Sequence, residues 1–248
     1  MRIVKEKGGV YLKRWVIIGV LFLCSLGVVI YGVQASDQNF FMPEELAGVK
    51  VVVDPGHGGL DGGASSGDVV ERDITLKIAH EVTKRLEKKG ATVVMTRKKG
   101  GDALAEHAPG DQFPTVRSRK LADLKLREDI TANENPDVFI SVHVNAIPAE
   151  KWRGAQVFYH TGGHPNGESL AKAIQASFKD NLKNTEREAL GISGVYLLKK
   201  APMPAVLVET GFLSNNEERA LLTDPAYQEK IADAIVEGII AFMEAEEM

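Results

Sequence analysis

The chain predicts a single α/β domain whose mostly parallel sheet is flanked by helices on both faces. Three observations support this class. Short apolar runs alternate with helix-period segments from Lys50 to the C-terminus. Several runs, such as Val51–Val53 and Ala205–Val208, are continuously apolar, the pattern of strands covered on both sides. No internal repeat or low-complexity segment breaks the alternation.

The first 35 residues stand apart. Trp15 to Val33 is an uncharged, mostly apolar stretch of nineteen residues, long enough to cross a bilayer as a helix. Arg2, Lys5, Lys7, Lys13 and Arg14 precede it against one acid, Glu6, and such a positive flank stays in the cytoplasm. Val33-Gln34-Ala35 before Ser36 also resembles a signal-peptidase site, so residues 1–35 read as a membrane anchor or as a cleaved signal. Both readings export the remainder. Cys24, the only cysteine, lies inside the apolar stretch without the small-residue context of lipoprotein processing, so the exported part has no disulfide. A domain of roughly 200 residues buries enough core to do without one.

At 44% hydrophobic and 26% charged residues, the composition is that of an ordinary globular protein. The whole chain carries −4, and without its first 35 residues, which hold five bases and one acid, it carries −8. That charge argues against nucleic acid as a partner, because phosphate binding draws on surplus Lys and Arg. It equally argues against attraction to a polyanionic surface.

Residues 36–48 form a polar linker, and 49–248 the folded domain. Lys50–Val53 reads as a buried strand. Ile74–Lys89 reads as a helix, with Ile74, Ile78, Val82 and Leu86 on one face and Gly90 ending it. Ala91–Thr96 is a second strand. Residues 99–117, rich in Gly, Pro and charge, are expected to form a loop or lid. Leu121–Asn135 is a helix that stops before Pro136. Val138–Val142 and Ala155–Tyr159 are strands, Ser169–Leu182 a helix, Val195–Leu198 a short strand and Ala205–Val208 a central strand. Pro225 separates a short helix from a final amphipathic one, in which Ile231, Ile235, Ile239 and Phe242 recur every three or four residues.

In open α/β sheets, ligands bind beyond the carboxyl ends of the strands. His57, His143 and Glu209 each follow an apolar run at that end. His57 is flanked by Gly56, Gly58 and Gly59, which let the backbone turn sharply; alone, it reads equally as an incidental histidine in a glycine-rich turn. No Lys-Ser/Thr pair follows to make a nucleotide loop. Glu71 precedes a helix start near Asp73, where the helix dipole by itself favours an acid. His143, followed by Asn145, has the alternative of a satisfied core histidine. Glu209 follows Ala-Val-Leu-Val, where a carboxylate is costly to desolvate unless paired, protonated or functional. Two imidazoles and a carboxylate form the ligand count of a catalytic zinc site with an open position, and a further Glu could shuttle protons. Of the other histidines, His80 lies mid-helix and His107 in the polar insertion. His160 and His164 mimic a helical ligand row that Gly162, Gly163 and Pro165 break.

Asp54-Pro55-Gly56-His57-Gly58-Gly59, Glu71-Arg72-Asp73, Ser141-Val142-His143-Val144-Asn145 and Val208-Glu209-Thr210-Gly211-Phe212-Leu213-Ser214-Asn215 occur in this order. From about Lys50 to the C-terminus the chain resembles the zinc-dependent N-acetylmuramoyl-L-alanine amidases of bacteria. The resemblance implies a six-stranded sheet between helices, zinc bound by His57, Glu71 and His143, and Glu209 as the catalytic carboxylate. It further implies peptidoglycan as substrate, with an activating protein partner left open. The single N-terminal apolar segment, the lack of an appended wall-binding repeat, and Arg117-Ser118-Arg119-Lys120 with Asp123-Leu124 are similar to a sporulation subgroup. That subgroup helps convert cortex peptidoglycan to muramic-δ-lactam. Val144 stands where the family commonly has Ala, a difference expected to bear on substrate fit. Two other readings are a zinc carboxypeptidase, which needs an arginine such as Arg97 or Arg127 for a free carboxylate, and a non-catalytic wall-binding protein.

Overall fold

Eight strands, seven α-helices and a π-helical turn (Phe178–Leu182) make up residues 44–246, the part of the chain that the computed structural model describes. The segment 1–35 and most of the 36–48 linker lie outside the described residues. The strands are β1 (Lys50–Pro55), β2 (Ser65–Ser66), β3 (Val69–Val70), β4 (Thr92–Met95), β5 (Val138–Asn145), β6 (Gln156–His160), β7 (Leu190–Ile192) and β8 (Ala205–Phe212). The helices are α1 (Glu71–Lys88), α2 (Ala103–His107), α3 (Val116–Glu134), α4 (Gly167–Ser177), α5 (Tyr196–Lys200), α6 (Asn216–Thr223) and α7 (Pro225–Glu246).

The main sheet has six strands in the order β4-β1-β5-β8-β6-β7, as expected from the resemblance. β4, β1, β5 and β8 run parallel; β6 is antiparallel to β8, and β7 is parallel to β6. Because side chains alternate across a sheet, each strand feeds two layers. Val51, Val53, Ile140, Val142, Val206 and Val208 join α1, α4 and α7 in the larger core. Val52, Phe139, Ala205 and Leu207 join Leu197 and Leu198 of α5 in a smaller one, with Leu124 of α3 packed against it. At about 1.5–3 kcal/mol per buried large aliphatic side chain, the larger layer dominates the hydrophobic stabilisation.

Local chemistry sets the boundaries. A capping box between Thr115 and Ser118 opens α3 five residues earlier than its hydrophobic pattern suggests. Asn135 closes it in the left-handed conformation before Pro136. Val195–Leu198 is not a strand but the entry to α5, because Leu197 and Leu198 reach the small core from a helix. The 99–117 segment is not an open lid: Asp102 caps α2, and Arg119 pairs with that same carboxylate at 2.6 Å. Strand β7 and the β2–β3 hairpin escape sequence pattern because they are only two or three residues long.

Candidate metal centre

The parity of the strands decides which groups meet. His143 and Glu209 are register partners on the neighbouring strands β5 and β8, so their side chains leave the same face of the sheet. That is the face of Phe139 and Leu207, opposite the large core. β1 ends at Pro55, and the chain turns through His57, whose φ of 62° lies in the left-handed region. Glu71 is the first residue of α1 rather than a residue before it.

His57, Glu71 and His143 converge so that one ligand atom from each lies within 4.8 Å of the others. Nε2 of His57 is 3.2 Å and Nδ1 of His143 is 3.0 Å from the same Glu71 oxygen, Oε1. The two rings meet edge to face at 4.9 Å between centroids. Glu71 is almost fully buried and is aimed by two backbone amides: Val144 donates to Oε1 at 3.0 Å and Ala64 to Oε2 at 2.8 Å. Burial pushes this carboxyl up, but bonding to His143 and His57 outweighs it and holds the group ionised far below the usual range. The same contacts, with Asp61, raise His57 against the lowering effect of burial.

The backbone leaves room for little else. A Cβ on Gly56 would stand 2.5 Å from the His143 ring, and one on Gly63 would collide with Glu71 and His57. This cradle and the two-imidazole, one-carboxylate donor set fit a divalent metal ion. Among the described residues no other group of three or more such side chains is assembled this way. His160 instead contacts the Ile192 carbonyl at 3.0 Å through Nδ1, and exposed His80 contacts the Lys98 carbonyl through Nε2.

Glu209 completes the constellation. It is half-buried, and its Oε2 is sealed from solvent with no hydrogen-bond partner. Burial is the main cause that pushes its pKa up to about 7; Glu71 adds to the rise, while His143 and His57 oppose it.

Two features lay beyond the sequence reading. Asp61 contacts His57 Nδ1 at 3.0 Å and is itself paired with Lys120 at 2.7 Å. This contact turns Nε2 of His57 towards Glu71 and His143. Its only sequence signal is a carboxylate four residues after the histidine. The second feature is a buried clamp under the His57 turn. Arg127 pairs with Asp54 at 2.7 Å and Asp123 at 2.8 Å, and donates to the carbonyls of Pro55 and His57. Arg97, fully buried, donates to the carbonyls of Pro55, Gly56, Arg72 and Lys99. Burial and neighbouring Arg127 lower Arg97 to about 10, still charged at neutral pH. Val144 is buried in the large core and reaches the centre only through its backbone amide. Its side chain therefore faces the large core and not the centre.

Comparisons with known proteins place the fold. Residues 51–241 match the family described as N-acetylmuramoyl-L-alanine amidase. A germination-specific N-acetylmuramoyl-L-alanine amidase of Bacillus subtilis (strain 168) is 41% identical over 211 residues, covering 84% of this chain and 86% of the relative. The solved CwlD amidase of Clostridioides difficile, in complex with the GerS lipoprotein, superposes with a TM-score of 0.74 at 37% identity. That match covers 79% of this chain and 99% of the other. An N-acetylmuramoyl-L-alanine amidase from Clostridium difficile 630 gives a TM-score of 0.69 at 27% identity, covering 81% and 99%. With a family match over residues 51–241 and a relative 41% identical over 84% of this chain, the chain belongs to the N-acetylmuramoyl-L-alanine amidase family.

Proposed function

We propose that this protein hydrolyses the amide between the lactyl group of N-acetylmuramic acid and the L-alanine of the stem peptide. His57, Glu71 and His143 hold zinc, and Glu209 carries the proton. The observation that supports this most directly is one juxtaposition. A three-residue donor set lies beside a carboxylate whose Oε2 is buried and unpartnered.

Zinc held there would supply a Lewis acid that polarises the scissile carbonyl and lowers the pKa of water to about 7. Glu209 Oε2 accepts a proton from the attacking water and returns it to the alanine nitrogen, which leaves as a neutral amine. Asp61 keeps the His57 ring oriented, and the Ala64 and Val144 amides keep Glu71 aimed. The carboxypeptidase alternative is weakened because Arg97 and Arg127 are buried and spent on backbone carbonyls and acids. The wall-binding alternative is weakened because all four polar residues are retained at one rim.

Cortex maturation, through muramic-δ-lactam formation, is the proposed setting, supported by the likeness to a germination-specific amidase. We place the domain on the extracytoplasmic side, as either a secreted protein or one tethered by Trp15–Val33. No helix of the described residues is long and apolar enough to cross a membrane. An activating protein partner is proposed on the likeness to an amidase that was solved with a lipoprotein.

The test uses protein lacking residues 1–35, peptidoglycan, and mass spectrometry of the products. Free stem peptides beginning with L-alanine, abolished by chelation and restored by zinc, are the expected result. Release of single terminal amino acids would instead favour the carboxypeptidase. Spores lacking the protein are expected to lack muramic-δ-lactam; cortex of normal lactam content would remove the sporulation assignment.

A further inference from the structure

On the face that carries His143 and Glu209, the next register position on β6 is Gln156, the partner of Glu209. His143, Glu209 and Gln156 therefore form a polar row across three adjacent strands, each about 4.8 Å from the next. Arg187 extends the row by donating from Nη1 to Gln156 Oε1 at 3.3 Å. Its guanidinium is held from two sides, 5.4 Å from the centroid of the Trp152 ring and 5.2 Å from that of Phe212. Nε is fixed on the Arg153 carbonyl at 3.2 Å. Nη2 has no hydrogen-bond partner, and Arg187 has no ion pair, among the described residues. Of the nearby cations, Arg153 pairs with Glu217 at 3.4 Å and Lys179 with Glu188, whereas Lys183 on the same groove has no ion pair among the described residues. Arg187 also borders a groove of about 500 Å³, shared with Arg153, Lys183, Asn184, Thr185 and Glu186. An arginine that is pre-oriented, half-buried and in no ion pair among the described residues is a ready fork for a carboxylate.

We propose that Arg187 and this groove form a subsite for a carboxylate of the stem peptide, two to three residues beyond the scissile amide. The spacing supports that reach. Two strand intervals separate His143 from Gln156, about 10 Å, and an extended peptide advances about 3.3–3.6 Å per residue. The inference rests on the amidase reading and adds a substrate determinant to it.

The test is calorimetric binding of two free tripeptides to the metal-free protein, one with its side carboxylates free and one with them amidated. Wild type is expected to bind the acidic peptide about tenfold more tightly. Arg187→Ala is expected to lose this preference, and Arg187→Lys to keep part of it. Equal binding of the two peptides by folded wild type would overturn the subsite, whatever the variants do. Equal preference in wild type and Arg187→Ala would overturn the assignment to Arg187. Hydrolysis of muramoyl tripeptide by the zinc-loaded proteins is scored separately. In wild type, absence of the charge preference with cleavage intact sinks only the subsite, whereas intact preference without cleavage sinks only the amidase reading.

Discussion

At the residue scale, Glu209 concentrates the chemistry. With its pKa raised to about 7 chiefly by burial, the carboxyl is poised between acid and base near neutral pH. A neighbouring divalent cation favours the ionised form, so the acid limb of kcat/KM is expected to fall below pH 7. Glu209→Gln keeps the shape and removes the proposed base. Its kcat is expected to drop about 10²–10⁴-fold with zinc content unchanged, measured by metal analysis beside product release. A raised carboxyl pKa favours the folded state below the unfolded value and loses that advantage as pH rises through the folded value. In chelated protein, Glu209→Gln is therefore expected to raise Tm at pH 8 and leave it nearly unchanged at pH 4; equal shifts at both would contradict the burial argument. Asp61→Asn weakens the support of His57, and zinc affinity is expected to fall about 10–100-fold in a competition titration.

At the element scale, the centre depends on how the β1–α1 connection is pinned. Arg127 reaches from α3 to Asp54 at the end of β1 and to the His57 carbonyl, while Thr96 and Ser141 donate to the same buried Asp54. Removing the guanidinium leaves buried charge without a partner. Arg127→Ala is expected to cost about 3–5 kcal/mol in denaturant unfolding. A cost below about 1 kcal/mol would mean that the clamp is not what orders the turn. Helix α7 packs so closely on α4 that a Cβ on Gly238 would approach the Ile174 Cα at 2.4 Å. Gly238→Ala is therefore expected to destabilise by about 1–3 kcal/mol while leaving zinc affinity intact, since this contact lies in the large core, away from the centre.

At the scale of the whole molecule, the candidate metal centre joins the end of β1, α1 and β5, and beside it lies β8, the strand that carries Glu209. Ligand binding to the folded state alone raises apparent stability by mass action. Zinc at a hundredfold excess over its Kd is expected to add about 2.7 kcal/mol, read as a Tm rise that chelator reverses. A Tm indifferent to zinc would argue against a site assembled only in the folded state.

The sequence by itself determined the α/β class, the order of the long elements and the four polar residues at strand ends and the helix start. Continuous apolar runs such as Val51–Val53 and the three-to-four spacing of Ile231, Ile235 and Ile239 follow directly from burial, which acts locally on pattern. What only the tertiary structure decided involves partners distant in sequence. The pairing of His143 with Glu209 depends on register, and the antiparallel course of β6 brings Gln156 and Arg187 to the same rim. The commitment of Arg97 and Arg127 to backbone carbonyls and the link from Lys120 through Asp61 to His57 were equally illegible. The short helix at Tyr196–Lys200 follows the same logic, because five residues carry too little period to separate helix from strand until the small core shows which side they cover. Side-chain type and spacing encode what is buried, whereas the geometry of a polar site is set by which strands lie side by side.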